Sequence, residues 1–277
     1  DNQTANYEVD TKEPTVSSVA ITDADGDQNN FVNAGDNVSV TATFSEVVNV
    51  NTASGTPALT IVVGSDNRTA TYTSGSGSDD LVFRYTIQSG DNDTNGISIG
   101  ANALDDNSST IRDVAGNDGI LTHSAVDNNS SYKVDTILPT VSSVAITDAE
   151  GVQNSFVNAG DNVSVTATFS EAVIVDNSSG NNPTITLVVG SDNRTATYAS
   201  GDNSTELVFR YTIQATGTLG ENDDNGTSIG ANALALNSST ISDPAGNIAD
   251  NLTHSAVSDN SSVKVDTTAP SVDNFTM

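Results

Sequence analysis

Acidic side chains dominate the chemistry that this chain can offer, because it has 36 aspartates and glutamates and only eight lysines and arginines. Many of the acids stand in turn-rich stretches beside strand-like runs, as in Asp23-Ala24-Asp25-Gly26-Asp27. Two carboxylates about 4 Å apart repel by roughly 1 kcal/mol in water and by about 4 kcal/mol at an effective dielectric constant near 20. A group of such acids therefore needs a cation, and hard oxygen ligands in irregular loops favour Ca2+ over magnesium.

The acids recur because the chain repeats itself. Thr15 to Ala24 recurs at Thr140 to Ala149, and Phe31 to Glu46 recurs at Phe156 to Glu171. The offset between equivalent residues rises along the chain from 125 to 131, and each added residue falls in a loop-like stretch that tolerates insertion. The sequence therefore holds two copies of one module.

A V-D-T-x-x-P signature marks the joints between the modules. It occurs three times, and its acids are Asp10, Asp135 and Asp266. We predict that the chain is a piece of a longer array. The predicted parts are residues 1–10 as the tail of a preceding repeat, 11–135 and 136–266 as two complete repeats, and 267–277 as the linker to a following one.

Alternating side chains predict that each repeat is a β-sandwich. From Asn37 to Ser45, apolar residues alternate with serine and threonine, which is the period of a half-buried strand. Each repeat holds about seven such short segments, separated by turn signals, and neither holds a helical pattern. In the first repeat the predicted strands include Val16 to Ile21, Leu81 to Ile87 and Ile97 to Leu104. The predicted fold is all-β, with two tandem antiparallel β-sandwiches of about seven strands each, joined end to end.

The composition of the chain limits the kinds of partner that it can bind. A net charge of −28 argues against nucleic acid and against anionic membrane surfaces. The sequence has no apolar run of membrane-spanning length, so we expect no direct membrane insertion, and we expect the chain to be monomeric. A disordered acidic linker is the alternative, but a disordered chain has no need of the strict alternations described above.

The repeats resemble the bacterial immunoglobulin-like repeats of very long surface adhesins, the type I-secreted and biofilm-associated class. The resemblance rests on the joint signature and on three motifs that occur in both repeats: T-F-S-E at Thr43 to Glu46 and Thr168 to Glu171, D-x-A-G-N at Asp113 to Asn117 and Asp243 to Asn247, and L-T-H-S-A-V at Leu121 to Val126 and Leu252 to Val257. It implies an extracellular, non-catalytic extender on the bacterial cell surface. Neighbouring repeats of the same chain, stiffened by several calcium ions at their joints, would hold a ligand-binding tip away from the cell.

Strand direction predicts which acids meet where one repeat abuts the next. The first strand ends at the pole far from the N-terminus, and the second strand returns to the opposite pole. Acids from the upper pole of one repeat, the joint, and the lower pole of the next would then surround shared ions. The predicted ligands are Asp23, Asp25, Asp27, Asp91, Asp93, Asp135, Glu171 and Asp243. The further candidates at equivalent or joint positions are Asp10, Glu46, Asp113, Asp148, Glu150, Asp223 and Asp266.

Two alternatives stay open for these residues. An aspartate at a turn commonly caps its own backbone, so Asp23, Asp25 and Asp27 can equally be turn residues. Val152 stands in the second repeat where the first has Asp27, so one binding mode shared by both repeats does not need Asp27.

Other functions have weaker signals. His123 and His254 occupy one repeated position without a cysteine or second histidine nearby, and no serine lies in a G-x-S-x-G context, so we predict no enzyme. Thr69, Thr71 and Thr73 form an outward row that, with neighbouring threonines, offers an alternative function in binding carbohydrate or ice. Threonine also suits the water-facing side of any strand.

Overall fold

Alternating apolar and polar residues form strands throughout this chain, whose computed structural model describes residues 8–215 and 221–272. All named elements in these two ranges are β-strands, which confirms the all-β prediction. No helix in the same ranges is long and apolar enough to cross a membrane. Contacts divide the chain into two units, Asp1–Ile137 and Leu138–Met277, and each is a β-sandwich.

The first unit is built on one large sheet and one small sheet. Its described strands are β1 (Val16–Asp25), β2 (Phe31–Val32), β3 (Asn37–Asn51), β4 (Ala58–Val63), β5 (Asp66–Ser74), β6 (Ser78–Thr86), β7 (Asn92–Asp93), β8 (Leu104–Asp105), β9 (Thr110–Arg112) and β10 (Lys133–Asp135). The large sheet has the order β1-β3-β6-β5-β4-β8, and β9 pairs with β3. In the small sheet β10 lies between β2, to which it is parallel, and β7, to which it is antiparallel.

The second unit repeats this topology. Its described strands are β11 (Val141–Ala149), β12 (Phe156–Val157), β13 (Asn162–Asp176), β14 (Thr184–Val189), β15 (Asp192–Ser200), β16 (Ser204–Thr212), β17 (Asn222–Asp223), β18 (Thr227–Ala235), β19 (Thr240–Ser242), β20 (Val257–Asn260) and β21 (Lys264–Asp266). The large sheet runs β11-β13-β16-β15-β14-β18-β20, and the small one β12-β21-β17. Each unit has more strands than the predicted seven, because the two- and three-residue strands are too short to show an alternating pattern.

The predicted inner faces form the cores. Val38, Val40 and Ala42 of β3 are fully buried, as are Leu81 and Phe83 of β6 opposite them. Burying a side chain of this size contributes about 1.5–3 kcal/mol, so these alternating rows supply much of the stability of a unit that has no cysteine.

Two predicted strands have different lengths in the structure. β1 continues past Ile21 to Asp25, because a bulge lets Asp23 and Asp25 pair with Ser39 and Asn37 of β3. The strand predicted over residues 97–104 is reduced in the first unit to isolated bridges followed by β8, whereas its equivalent in the second unit is the continuous β18.

The longest strand of the first unit changes partner along its length. β3 pairs with β6 from Asn37 to Thr43 and again at Val48, and then with β9 from Asn49 to Asn51. The irregular stretch between Thr43 and Val48 interrupts the pairing with β6 just before this change of partner, and it contains Glu46.

Candidate metal centre

Three acids of the first unit converge on one point. Asp10, Glu46 and Asp113 each offer a carboxylate oxygen, and these oxygens lie within 4.8 Å of one another. Asp10 is exposed, Glu46 is half-buried and Asp113 is buried. Three separate segments of the chain therefore bring three carboxylates to one place. The sequence indicated these residues as candidates because they are equivalent to acids at the joint between the repeats.

Backbone pairing holds the joint segment beside Glu46. The Ser45 amide donates to the Thr15 carbonyl at 2.8 Å, and the Thr15 amide donates to Ser45 Oγ at 3.0 Å. The segment that precedes Thr15 contains Asp10. These two bonds therefore fix where the V-D-T-x-x-P segment meets the irregular part of β3.

A tight loop presents Asp113, which directly follows β9. The Asp113 carboxylate accepts hydrogen bonds from the Gly116 amide at 2.7 Å, the Asn117 amide at 2.8 Å and Asn117 Nδ2 at 2.7 Å. Gly116 has a φ of 99°, a left-handed conformation that favours glycine. Burial acts to raise the pKa of Asp113, but the hydrogen bonds from Asn117, Gly116 and Ala115 outweigh it, so the pKa lies below its ordinary value.

Asn117 also connects this loop to the joint segment. Its Nδ2 lies 3.3 Å from the Asp10 carbonyl oxygen and 3.3 Å from the Lys12 carbonyl oxygen, as well as 2.7 Å from Asp113 Oδ2. The last residue of the D-x-A-G-N motif therefore holds two of the three acidic segments together. This role explains why the motif needs asparagine at that position.

The donor set fits a hard divalent cation. All three side chains offer carboxylate oxygens, and none of the ion pairs within the described residues involves Asp10, Glu46 or Asp113. The hydrogen bonds given above use both lone pairs of Asp113 Oδ1 and one of Oδ2, which leaves one lone pair on Oδ2 for a cation. Oxygen ligands without histidine or cysteine suit calcium or magnesium better than zinc, and the irregular loops suit calcium.

The second unit contains the same loop and the same irregular strand segment. Asp243 follows β19, is 1% exposed, and accepts hydrogen bonds from the Asn247 amide at 2.9 Å and Asn247 Nδ2 at 2.8 Å. Glu171 lies in the irregular stretch of β13 between Thr168 and Val173, just before that strand changes partner from β16 to β19.

The joint acids share one local turn. The carboxylates of Asp10, Asp135 and Asp266 each accept a hydrogen bond from the backbone amide two residues later, at 2.9 to 3.0 Å. Asp135 and Asp266 are also the last residues of β10 and β21. The three V-D-T-x-x-P segments therefore begin with the same conformation at the acid.

Asp91 and Asp93 are held by the first unit itself. Asp91 is 2% exposed and accepts hydrogen bonds from Arg68 Nε at 2.7 Å, Tyr85 Oη at 2.7 Å and the Gln88 amide at 2.9 Å. Burial acts to raise the pKa of Asp91, yet the bonds from Tyr85, Gln88 and Arg68 lower it overall. Burial and the Asp91 charge raise the pKa of Tyr85 to about 12.

Among the described residues, the donors to Asp93 are all backbone amides: Gly64 at 2.7 Å, Gly96 at 2.8 Å and Asn95 at 3.2 Å. In the second unit, Asp223 accepts from the Gly190 and Gly226 amides in the same way. Glu221 replaces Asp91, and it pairs with Arg194 and accepts a hydrogen bond from Tyr211.

Sequence reasoning missed the two arginines. Arg68 and Arg194 stand at equivalent positions in D-N-R-T-A-T, a motif present in both repeats, so a repeated cation in an acidic chain was the available signal.

The remaining predicted ligands belong to no such group of three acids among the described residues. Asp25 pairs with Arg84 and Glu150 pairs with Arg210, each at 3.5 Å between exposed side chains. Asp23 lies on β1 rather than in a loop. Within the described residues, groups of three or more acids with oxygens inside 4.8 Å include none of the following: Asp23, Asp25, Asp27, Asp91, Asp93, Asp148, Glu150, Asp223 and Asp266.

The histidines and two of the outward threonines, Thr43 and Thr73, have partners inside their own units. His123 Nε2 accepts the Ala103 amide at 2.8 Å, and His123 Nδ1 lies 2.7 Å from the Ser124 carbonyl, so Nδ1 carries the proton. His254 makes the equivalent contacts. The hydroxyl of Thr73 donates to the Val82 carbonyl, and that of Thr43 donates to Asp80.

A comparison with the models of known protein families and with curated proteins found no match. The functional argument therefore rests on the geometry of the acids and on the repeat itself.

Proposed function

We propose that this chain is a structural extender from a large extracellular bacterial adhesin, in which calcium stiffens the joints between sandwiches. The observation that carries the proposal is the convergence of Asp10, Glu46 and Asp113 where the V-D-T-x-x-P segment enters the first unit. The resemblance of the repeats to adhesin extender domains supports it. The protein would have no catalytic role and would act at the bacterial cell surface.

Electrostatics supports a bound cation in this cluster. Like charges this close cost several kcal/mol at the effective dielectric constant of a partly buried site. A calcium ion removes the repulsion and accepts six to eight oxygen ligands, which the three carboxylates, backbone carbonyls and water can supply. Extracellular calcium modules bind with Kd on the order of 10⁻⁴ to 10⁻³ M.

The repeat extends the proposal to a second set of residues. Asp135, Glu171 and Asp243 are the sequence equivalents of Asp10, Glu46 and Asp113. We assign them the same task at the joint between the two units, and we assign Asp266 the corresponding task toward a following repeat. Calcium that binds such a joint would link the acid of one unit to the two acids of the next and would restrict their relative motion.

Calcium titration with paired variants tests the proposal. At a hundredfold excess over Kd, an ion that binds only the folded state adds about 2.7 kcal/mol, which raises the melting temperature by about 10 °C for a unit of this size. Glu46→Gln should remove the calcium-dependent part of the melting temperature of the first unit. Glu171→Gln should instead abolish the calcium-dependent increase in maximum dimension, measured by small-angle X-ray scattering.

Asp127→Asn is the matched control, because it removes one exposed carboxylate outside the cluster. It should leave both responses intact. An identical melting temperature and maximum dimension in calcium and in chelator would contradict the proposal.

A further inference from the structure

The chain contains two Asn-Gly dipeptides, Asn95-Gly96 and Asn225-Gly226, and they occupy the same position in the two repeats. Asn-Gly is the dipeptide most open to spontaneous deamidation, because glycine leaves its own amide nitrogen unhindered. That nitrogen attacks Cγ of the asparagine and ammonia leaves. Water then opens the resulting succinimide to aspartate or isoaspartate.

The fold requires glycine at these positions. Gly96 has a φ of 100°, and a Cβ atom added there would lie 2.1 Å from the Asn129 carbonyl oxygen. Gly226 has a φ of 106°, and its Cβ would lie 2.1 Å from the Asn260 carbonyl oxygen. A larger residue would reduce the reactivity of the dipeptide, but the backbone that crosses this point leaves no room for one.

A buried carboxylate accepts a hydrogen bond from the glycine amide nitrogen that would attack. The Gly96 amide donates to Asp93 Oδ1 at 2.8 Å, while Asp93 Oδ2 is held by the Gly64 amide at 2.7 Å. Asp93 is 4% exposed, so the bond lies out of water. If the Gly96 nitrogen turned toward Asn95 Cγ, it would leave a buried charged acceptor without one of its donors, which is costly.

The second unit repeats the arrangement. The Gly226 amide donates to Asp223 Oδ1 at 2.8 Å, and the Gly190 amide donates to Asp223 Oδ2 at 2.7 Å. The asparagine of each dipeptide is exposed and the glycine is buried. We propose that Asn95 and Asn225 are latent deamidation sites, and that Asp93 and Asp223 hold them unreactive as long as the surrounding loop is folded.

One hydrogen bond distinguishes the site at Asn225 from the site at Asn95. Asn225 Nδ2 donates to Asp259 Oδ2 at 2.5 Å, which restrains the asparagine side chain as well as the glycine. Asn128 occupies the position of Asp259 in the first repeat. When Asp93 and Asp223 are each replaced, Asn95 should therefore deamidate faster than Asn225.

Peptide mapping by mass spectrometry, with isoaspartate detection, measures both sites in one molecule. The folded chain and the chain in denaturant are incubated in parallel at mildly alkaline pH. Both asparagines should deamidate readily in denaturant, and both should remain intact in the folded chain. Equal rates in the two conditions at either site would overturn the proposal without any variant.

Asp93→Asn identifies the carboxylate as the cause. In the folded variant, deamidation of Asn95 should accelerate by about tenfold to a hundredfold, the range for loss of a hydrogen bond to a charged group, while Asn225 keeps its wild-type rate. Asp223→Asn should give the reciprocal result. Val38→Ala weakens the core of the first unit but keeps Asp93, so it should leave Asn95 at the wild-type rate. If Val38→Ala accelerates Asn95 as much as Asp93→Asn does, general destabilisation accounts for the effect and the proposal fails.

Discussion

Two groups of acids in the first unit differ in whether a basic side chain opposes their charge. Asp91 is neutralised internally by Arg68, Tyr85 and a backbone amide, whereas the cluster of Asp10, Glu46 and Asp113 has no basic partner among the described ion pairs. Both groups appear in the sequence as acids beside loops. The difference teaches that a carboxylate is a candidate metal ligand when the fold leaves its charge unopposed.

The two repeats sharpen this difference. The internal network, formed in the first unit by Asp91, Arg68 and Tyr85, tolerates a longer acidic side chain, since Glu221 takes the place of Asp91 in the second unit. The cluster positions carry the same residue type in both copies: Asp10 and Asp135, Glu46 and Glu171, Asp113 and Asp243. The network around Asp91 thus accommodates an extra methylene, whereas the three cluster positions keep the same side chain in both copies.

The largest effect should come from the internal network. Asp91→Ala leaves the Tyr85 hydroxyl and the Gln88 amide without their acceptor and breaks an ion pair in which Asp91 is buried and Arg68 is half-buried, so we expect the free energy of unfolding to fall by about 3–5 kcal/mol. Asp25→Ala is the control, because it breaks the exposed pair with Arg84 and should cost at most about 1 kcal/mol. Denaturant unfolding in chelator measures both. Equal losses would show that the two pairs do not differ as described.

Tyr85→Phe should have a smaller, pH-dependent effect. Removal of one hydrogen bond to a charged acceptor costs about 1.5–3 kcal/mol at neutral pH. Because the folded-state pKa of Tyr85 is raised to about 12 from about 10, the stabilisation is present below pH 10 and is lost as the pH rises toward 12. The variant should therefore lose less stability than the wild type across this interval in thermal unfolding. Tyr132→Phe, which leaves the Asp91 network untouched, should retain the wild-type slope.

Asp113 should give the smallest effect, seen at acid pH. Its pKa is lowered in the folded state, so its contribution is complete above the unfolded pKa of about 3.9 and is lost as the pH falls through the folded pKa. Asp113→Asn should flatten the acid limb of the stability curve, measured in chelator so that metal binding does not contribute. An acid limb identical to that of the wild type would contradict this assignment, and Asp127→Asn serves as the control.

Local patterns predicted most of the fold. The alternation from Val38 to Phe44 and from Leu81 to Ile87 identified two central strands and their buried faces, because period-two burial is visible over short stretches. The shortest strands, such as β2 and β7, have only two residues and exist through pairing with β10. Such pairing depends on distant segments, so the sequence pattern does not indicate it.

The candidate site was predicted only in part, for a related reason. Asp23, Asp25 and Asp27 read as a ligand-rich loop, but β1 extends through Asp25 because Asn37 and Ser39 lie opposite it. Asp91 read as a ligand because its partner Arg68 lies 23 residues away in the sequence. The identity of acids can be taken from a sequence, whereas the charges that oppose them depend on tertiary contacts.

The position of β10 has a mechanical consequence. This strand ends at Asp135 and lies between β2 and β7, with ladder hydrogen bonds on both sides. Ladder bonds run across the strand direction, so tension applied along the chain through Asp135 loads them together in shear instead of peeling them apart singly. If the first unit is pulled through Asp135, the rate of forced unfolding should therefore depend on these few bonds.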